Sequence, residues 1–556
     1  MSGLVNDFRN IIAEGLKSRT LTSCSRWAEY RRVMGEPFSG SYGFKYHPWC
    51  KEIHDSNAEF NTTMKSAQMG ITEIAINRAF YTIDVLKKDV LYVLPTLNNA
   101  SDFAKARFNT ALLYSPYLKS LFTDVNTIGL KQAAGVNLYI RGSRGDANLK
   151  SIPVSTLMLD EIDEMDQKQI WLALERLSGH IKKAVWAIST PTVPKYGIHK
   201  LFLQGTQEHY CFKCPKCNKW TELVWPDCVE IVGEVVNDRR CKESFLKCKE
   251  CGGKLDHENK PDWLSPDRAA WQVTSTEADE NHRSWYINQL YSYTVTPGEI
   301  VTAYFRGQGD EAAQCEFHNS KLGMPFVPDG GQVVESELEE AIANHTKNDP
   351  RPKIGGERTI VMGIDQGKMN HIVIVEYFVT EYGFDLNAAA HAKVLWEGKL
   401  PGEDFTLLDQ LMREWQVLAC TIDADPQIND ARRFARRFPG YVWLCRYRRG
   451  VTGKEMQISE EGDGAPIITC DRTNWLDATL GRFHSDRIWL PVDVSMEFKE
   501  HMKNLVRTYE RDENNNPKAT YLTTGNDHFA HALCYAELSL PLAASIVQGK
   551  DIGRFL

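Results

Sequence analysis

The sequence predicts an α/β protein built from two successive sheets, and three observations carry that expectation. The stretch Lys65 to Thr72, KSAQMGIT, stands between an apolar run and a helical run. A second apolar run, Val154 to Leu159, ends in Asp160-Glu161. Beyond residue 359, three strand-like runs, a helix, a strand and a helix follow in order, with aspartates in the first and fourth strands.

A chain of 556 residues exceeds one core and implies about two to four domains. Hydrophobic content of 42% and charged content of 25% are those of globular proteins. No uninterrupted apolar run reaches the roughly 18 residues a membrane span needs. The start, MSGLVNDFRNIIAEG, has acids and no apolar signal core, so a cytosolic protein without a membrane role is expected. The net charge of -8 does not advertise nucleic-acid binding, although a long chain can hold a local basic track. In a cytosolic protein the 14 cysteines read as thiols or metal ligands.

Glu59 to Met64 reads as a buried strand and Glu73 to Phe80 as a helix. A loop between them presents backbone N–H groups and a helix N-terminus to an anion. The usual phosphate loop has its lysine just before the closing hydroxyl. Here Ile71 fills that slot and Lys65 opens the loop, from where it could fold back onto phosphates. Ser66, Gln68 and Gly70 line the loop, and Thr72 is placed to bind Mg²⁺. The next strand is Val90 to Thr96. In the third, Asp160 would hold Mg²⁺ through water and Glu161 would orient the attacking water. Asp163 and Glu164 read as solvated first-turn acids. Ala184 to Thr192 gives a strand ending in Ser189 and Thr190, which could sense the terminal phosphate of ATP. Strand-loop-helix, strand-DE and strand-STP is the layout of a RecA/helicase-like (ASCE) motor ATPase. Arg141 and Arg144 lie in a glycine-rich loop before the DE strand. Either could be an arginine finger, with a plain surface arginine as the ordinary alternative.

Cys214-x₂-Cys217 and Cys248-x₂-Cys251 are separated by 30 residues. Each pair forms a tight turn offering two thiolates, and four protein ligands make a structural Zn²⁺ site in a zinc-ribbon-like insertion. Cys211, Cys228 and Cys241 are spares.

In the second half, strands at Thr359 to Asp365, His371 to Val379 and Ala392 to Leu400 precede a helix at 403–415. A fourth strand then ends at Asp423. This is the order of an RNase H-like fold, in which the first and fourth strands are neighbours, bringing Asp365 and Asp423 together. Two such carboxylates suit two Mg²⁺ or Mn²⁺ ions, one activating water and one stabilising the leaving 3′ oxygen. Asp425 is an alternative ligand. Arg432, Arg433, Arg436, Arg437, Arg446, Arg448 and Arg449 form a run free of acids from 431 to 449. It reads as a phosphate track for DNA, against the ordinary reading of a solvated helix face.

The displaced Lys65, the DE strand, the S-T-P strand and the cysteine-rich insertion together resemble the large subunit of tailed-phage terminase, in its GpA-type, lambda-like family. The likeness spans roughly Tyr46 to Leu538. It implies that Lys65 is the loop's cation, that Tyr46 packs on adenine, and that the third nuclease ligand comes from the stretch 525–536. There this sequence departs from the family pattern by placing His531 where an aspartate is common, so Asp527 or His531 is expected to serve. The resemblance implies an ATP-driven translocase packaging viral double-stranded DNA, fused to an endonuclease that cuts concatemers. It implies a homo-oligomeric ring on the portal protein of the procapsid, a small terminase subunit as partner, and residence in the host cytoplasm, docked transiently and absent from the virion. The expected divisions are an N-terminal segment 1–45 open to a partner and an ATPase core 46–205. A zinc insertion 206–265, a helical closing segment 266–326 and a linker 327–358 follow. An RNase H-like nuclease 359–540 and a C-terminal tail 541–556 complete the chain. The rival readings are a cellular helicase-nuclease of repair, which would need a second RecA-like domain, and a non-catalytic DNA-binding scaffold.

Overall fold

Phe60–Lys65 (β1) is buried from Asn61 onward, as a strand covered on both faces must be. The computed structural model describes residues 22–123, 125–133, 135–145, 149, 152–349, 359–379, 389–402, 405–448, 455–461, 465–512 and 516–547. In it the chain divides into two units, Met1–Phe326 and Val327–Leu556.

In the first unit β1 lies inside a largely parallel sheet. The other main strands are Val90–Leu94 (β2), Val136–Gly142 (β3), Thr156–Asp160 (β4), Ala184–Ser189 (β5), Glu208–Lys213 (β6), Ala269–Gln272 (β7) and His282–Ile287 (β8). The order across the sheet is β6-β8-β1-β5-β4-β2-β3, with each neighbouring pair parallel and β7 antiparallel on β6. One strand, β5, therefore separates β1 from β4, and the carboxyl ends of all three open on the side where ligands bind in such sheets. Cys24–Arg31 (α1), capped by Ser23, buries Trp27, whose Nε1 donates to Asp84 Oδ2 (2.8 Å) at the end of Ile71–Asp84 (α2).

The described residues revise four of the expected divisions. The segment 266–326 is not simply helical, because β8 buries Trp285 and pairs with β1 along its whole length. The insertion 206–265 begins with β6, a strand of the main sheet, so the cysteine-rich part hangs between β6 and β7. The expected linker 327–358 is no free connection where it is described. Glu335–Glu340 is a helix, and Val333, Leu338 and Ala341 are buried in the second unit's core; residues 350–358 lie outside the described residues. The tail begins later than 541, because the last helix runs to Val547 and buries Leu542 and Ala543.

The second unit is organised by Thr359–Asp365 (β9), buried at every position. Met369–Val379 (β10), Ala390–Pro401 (β11), Ala419–Asp423 (β12), Val442–Tyr447 (β13), Met456–Glu461 (β14) and Ala465–Cys470 (β15) are its other main strands, in the order β14-β15-β13-β12-β9-β10-β11, and the short strand Ile488–Trp489 pairs beyond β11. β9 is antiparallel to β10 and parallel to β12, which sets Asp365 and Asp423 at the same end of neighbouring strands. Thr406–Glu414 (α3) and Ile428–Arg437 (α4) connect these strands. The last helix, His528–Val547 (α5), crosses the sheet over β9, and its 19-residue apolar stretch is 83% buried there, as a core helix is.

Contact between α5 and β9 depends on Gly363. A Cβ at that position would overlap the Ala532 carbonyl oxygen and crowd the Ala536 N–H, both helix backbone. Backbone cannot swing aside as a side chain can, so Gly363→Ala is expected to destabilise the second unit by about 3 kcal/mol. Denaturant unfolding of the full chain checks this; a wild-type midpoint would show that the helix can shift without cost.

Candidate functional site

The loop after β1 is held from several directions. Lys65 is the last residue of β1 and is 6% exposed, and its Nζ donates to Thr190 Oγ1 at 3.3 Å. The Ser66 and Ala67 N–H groups donate to the Ile287 and Ser320 carbonyls (2.9 and 2.8 Å). Gln68 (φ 61°) and Gly70 (φ 78°) turn the backbone through the left-handed region, and Gly70 precedes the first turn of α2, where Thr72 stands. The Trp49 indole N–H donates to the Met69 carbonyl (2.9 Å). Tyr46, expected against adenine, has its ring against Phe38 and Tyr293, with centroids 4.9 and 4.8 Å away.

Facing this loop, Asp160 is 1% exposed at the end of β4. Tyr92 donates its hydroxyl to Asp160 Oδ2 (2.6 Å), while Oδ1 is buried without a hydrogen-bond partner. Burial, then the neighbouring Glu161 charge, raises the Asp160 carboxyl, and the Lys65 charge opposes the rise. Ser66 Oγ is likewise buried and unpartnered. Two orphaned oxygens beside a buried lysine and a helix N-terminus suit a hydrated cation with its phosphate. Glu161, half-buried at φ 62°, turns the chain immediately after β4.

Asp163 is not the solvated acid expected from its position after the strand. It is 5% exposed and accepts from Thr192 N (2.9 Å), Thr192 Oγ1 (2.9 Å) and Ile198 N (2.7 Å). Burial raises it to about 7 against the pull of those donors. Ser189 Oγ accepts from Asp163 N (3.3 Å) and donates to the Thr190 carbonyl (3.0 Å), so that hydroxyl is committed to the protein. The Thr192 carbonyl in turn accepts from Asn319 Nδ2 (2.8 Å) and Phe326 N (3.0 Å). A continuous set of hydrogen bonds thus runs from the turn after β4, through the loop after β5, to the last residue of the first unit. Arg141 donates from Nη1 to the Ile140 carbonyl (2.9 Å) and to the Gly129 carbonyl (2.5 Å), which fixes it to β3; Arg144 is exposed.

The sulfurs of Cys214, Cys217, Cys248 and Cys251 all lie within 4.8 Å of one another. Cys214 Sγ and Cys251 Sγ are 4.0 Å apart, close to the roughly 3.8 Å edge of a tetrahedron with about 2.3 Å metal–sulfur bonds. The Lys216 N–H donates to Cys214 Sγ (3.3 Å), and the turns close through Asn218 (φ 59°) and Gly252 (φ 68°). All four ligand positions come from the chain, which suits a structural Zn²⁺ with no place for a reacting water.

In the second unit Asp365 is 8% exposed and Asp423 half-buried. Burial first, and then the Asp365 charge, raises Asp423 to about 6. Asp423 Oδ1 accepts from Asp425 N (3.2 Å), and Gln366 Nε2 donates to the Asp423 carbonyl. Of the two residues expected from α5 and its approach, Asp527 is occupied by the protein. It accepts from Thr523 Oγ1 (2.9 Å), and His531 Nε2 lies 3.4 Å away. Burial opposes ionisation there, yet these contacts hold Asp527 down to about 2. The residue that reaches Asp365 is His528, with Nδ1 2.9 Å from Asp365 Oδ2. His371 stacks on His528, with centroids 4.6 Å apart. A sequence reading that seeks a carboxylate in this region passes over both imidazoles.

The arginine run is less bare than its sequence. Arg437 is bidentate to Asp409 (2.6 and 2.7 Å), Arg433 pairs with Asp430 (3.3 Å), and Arg446 Nε lies 3.3 Å from Asp425. Folding brings these acids to a stretch that has none of its own between 431 and 449. Arg436 and Arg448 are exposed, Arg432 is half-buried, and Arg449 lies outside the described residues.

Two family models match. That of the ATPase domain of phage terminase large subunit gpA covers residues 37–271, and that of the gpA endonuclease domain covers 282–445. The second match opens on β8, a strand of the first sheet, and stops before α5. No curated protein matches. Among solved structures, the large terminase of bacteriophage HK97 is similar over 94% of this chain and 99% of its own, with 10% identity and a TM-score of 0.48. The large terminase ATPase domain of a Thermus phage covers 52% of this chain and 95% of its own, with 14% identity and a TM-score of 0.28. The large terminase nuclease of thermophilic phage G20c with bound magnesium covers 37% of this chain and 97% of its own, at 12% identity and a TM-score of 0.21.

The cysteine geometry predicts about one equivalent of Zn²⁺ in the purified chain, released by a mercurial thiol reagent. Cys248→Ser is expected to lose that zinc and lower the melting temperature. Retention of zinc by this variant in elemental analysis would exclude the four-thiolate assignment.

Proposed function

Because the chain belongs to the gpA family of phage terminase large subunits, we propose that each of its two sheets performs one of that family's activities at the carboxyl ends of its strands. The protein is an ATP hydrolase that powers DNA packaging, and an endonuclease acting on the same DNA.

In the ATPase unit, Lys65 takes the cationic role on the phosphates from the head of the loop. The observation that carries this reading is its buried Nζ, directed at Thr190 on the neighbouring strand end. Thr72 and Asp160 would hold Mg²⁺, which as a Lewis acid neutralises charge developing on the phosphates. Glu161 orients water. Thr190, already in contact with Lys65, registers the loss of phosphate, and Ser189 shapes the loop through Asp163. Ser66, Gln68 and Gly70 present the loop backbone, Tyr46 borders the base, and Arg144 remains the candidate finger toward a neighbouring subunit. Zn²⁺ on the four cysteines would pin the segment between β6 and β7.

In the nuclease unit, Asp365 and Asp423 would hold Mg²⁺ or Mn²⁺. Two acids at one strand end, one with its proton affinity raised, suit a divalent cation that relieves their repulsion. The bound ion supplies polarisation of the scissile phosphate and of water. His531 and Asp527 support α5 beside this centre rather than completing the pair. The run Arg432, Arg433, Arg436, Arg437, Arg448 and Arg449 is assigned to the DNA backbone, with Arg437 also paired to Asp409 and Arg433 to Asp430. Double-stranded DNA is the substrate. The family membership supports, as further parts of this reading, a small terminase subunit and a portal protein as partners, a homo-oligomeric ring, and the host cytoplasm as the site of action.

Lys65→Ala is expected to lower DNA-stimulated ATP hydrolysis by about 10²-fold or more while sparing plasmid cleavage. Asp365→Ala should do the reverse. Normal hydrolysis by Lys65→Ala would remove the loop assignment, and cutting by Asp365→Ala would remove the nuclease assignment.

The raised Asp423 gives a pH dependence with a definite sign. Below about pH 6 a metal must displace the proton Asp423 holds, so Mn²⁺ affinity is expected to fall by about tenfold per pH unit there and to level off above it. Calorimetric titration of nucleotide-free protein at pH 5 and pH 7 measures this; equal affinities would place Asp423 outside the metal site.

A further inference from the structure

Asp365 faces a second set of groups on the side of β10, away from β12. One ligand atom from each of Asp365, His371 and His528 lies within 4.8 Å of the others. His528 Nδ1 and Asp365 Oδ2 stand 2.9 Å apart, the separation two adjacent ligands adopt on one ion with bonds of about 2.1 Å. His371 is 6% exposed, and its Nδ1 is buried without a hydrogen-bond partner. A buried imidazole nitrogen left unsatisfied costs free energy that a metal bond would recover. His501 packs against both imidazoles, with centroids 5.7 Å from His371 and 5.8 Å from His528. Glu497 Oε1 lies 3.9 Å from Nε2 of both His371 and His501, and its other oxygen is held by Lys399 at 2.6 Å. The region is thus a carboxylate with two imidazoles, backed by a third imidazole and a second carboxylate, as metal-ligating histidines commonly are.

We propose that Asp365, His371 and His528 form a nitrogen-rich divalent-metal site that selects a transition metal such as Co²⁺ or Zn²⁺ over Mg²⁺. Imidazole nitrogen favours the later first-row ions, whereas Mg²⁺ takes oxygen ligands and keeps its waters. The site shares Asp365 with the two-aspartate centre and rests on that reading only through this residue. It gives the second unit a metal preference that its aspartates alone would not.

The test uses full-length, nucleotide-free protein with Zn²⁺ retained on the four cysteines and free metal removed, titrated with Co²⁺ alone by calorimetry and visible absorption. Wild type is expected to bind one equivalent of Co²⁺ without thiolate charge-transfer bands, at least about tenfold more tightly than Mg²⁺. His528→Ala, at a partly exposed position, and His371→Phe, which keeps a buried ring on His528, should each weaken Co²⁺ by at least about tenfold and leave Mg²⁺ affinity unchanged. Wild-type Co²⁺ affinity in either variant, or no preference over Mg²⁺ in the parent, overturns the proposal. Asp423→Asn separates the two readings. It should abolish plasmid cleavage yet keep the Co²⁺ spectrum, and survival of cleavage would count against the aspartate pair alone.

Discussion

Carboxylates buried at the ends of parallel strands dominate both halves of this molecule. Removing such a group from water costs several kcal/mol unless hydrogen bonds or opposite charge replace the lost solvation. The fold compensates only partly. Asp160 receives one hydroxyl from Tyr92 and the field of Lys65, with its second oxygen unsatisfied. Asp365 receives one imidazole, and Asp423 one backbone N–H. Asp163 instead takes three donors, and Asp527 takes the Thr523 hydroxyl with the His531 imidazole beside it. That difference in partners distinguishes the first three acids from the last two, although all five end or follow a strand or precede a helix.

Much of this was legible in the sequence. The loop, the DE strand, the S-T-P strand and the two cysteine turns are local patterns, and each states its chemistry within a dozen residues. The strand order of the second unit was legible too, because runs of Val and Ile in Ile372–Val375 and Ile360–Ile364 leave little choice of element. What escaped depends on pairing over long distances. β8 is an ordinary run of polar and aromatic residues that becomes a sheet strand only because β1, more than 200 positions earlier, offers an open edge. The segment around Leu338 reads as a linker because it is rich in Pro, Gly and charge, yet Val333, Leu338 and Ala341 are buried.

The site residues show the same division. Lys65 and Thr190 could be named from sequence, but not their mutual contact. Asp163 is not legible as a buried acid, because an acid after a strand ordinarily faces water and its partners Thr192 and Ile198 lie about 30 positions on. His371 and His528 carry no spacing that would announce them, one standing near the start of a strand and the other at the start of a helix. The arginine run reads as unopposed because Asp409 and Asp425 lie outside it, and only folding brings them near.

The bonds at Thr192 have a mechanical meaning. Its N–H and hydroxyl are tied to Asp163, and its carbonyl to Asn319 and to Phe326, the residue at which the chain leaves the first unit. Thr192 thus works as a rivet: it fastens the turn after β4 and the end of the first unit to one loop, so that none of the three can shift alone.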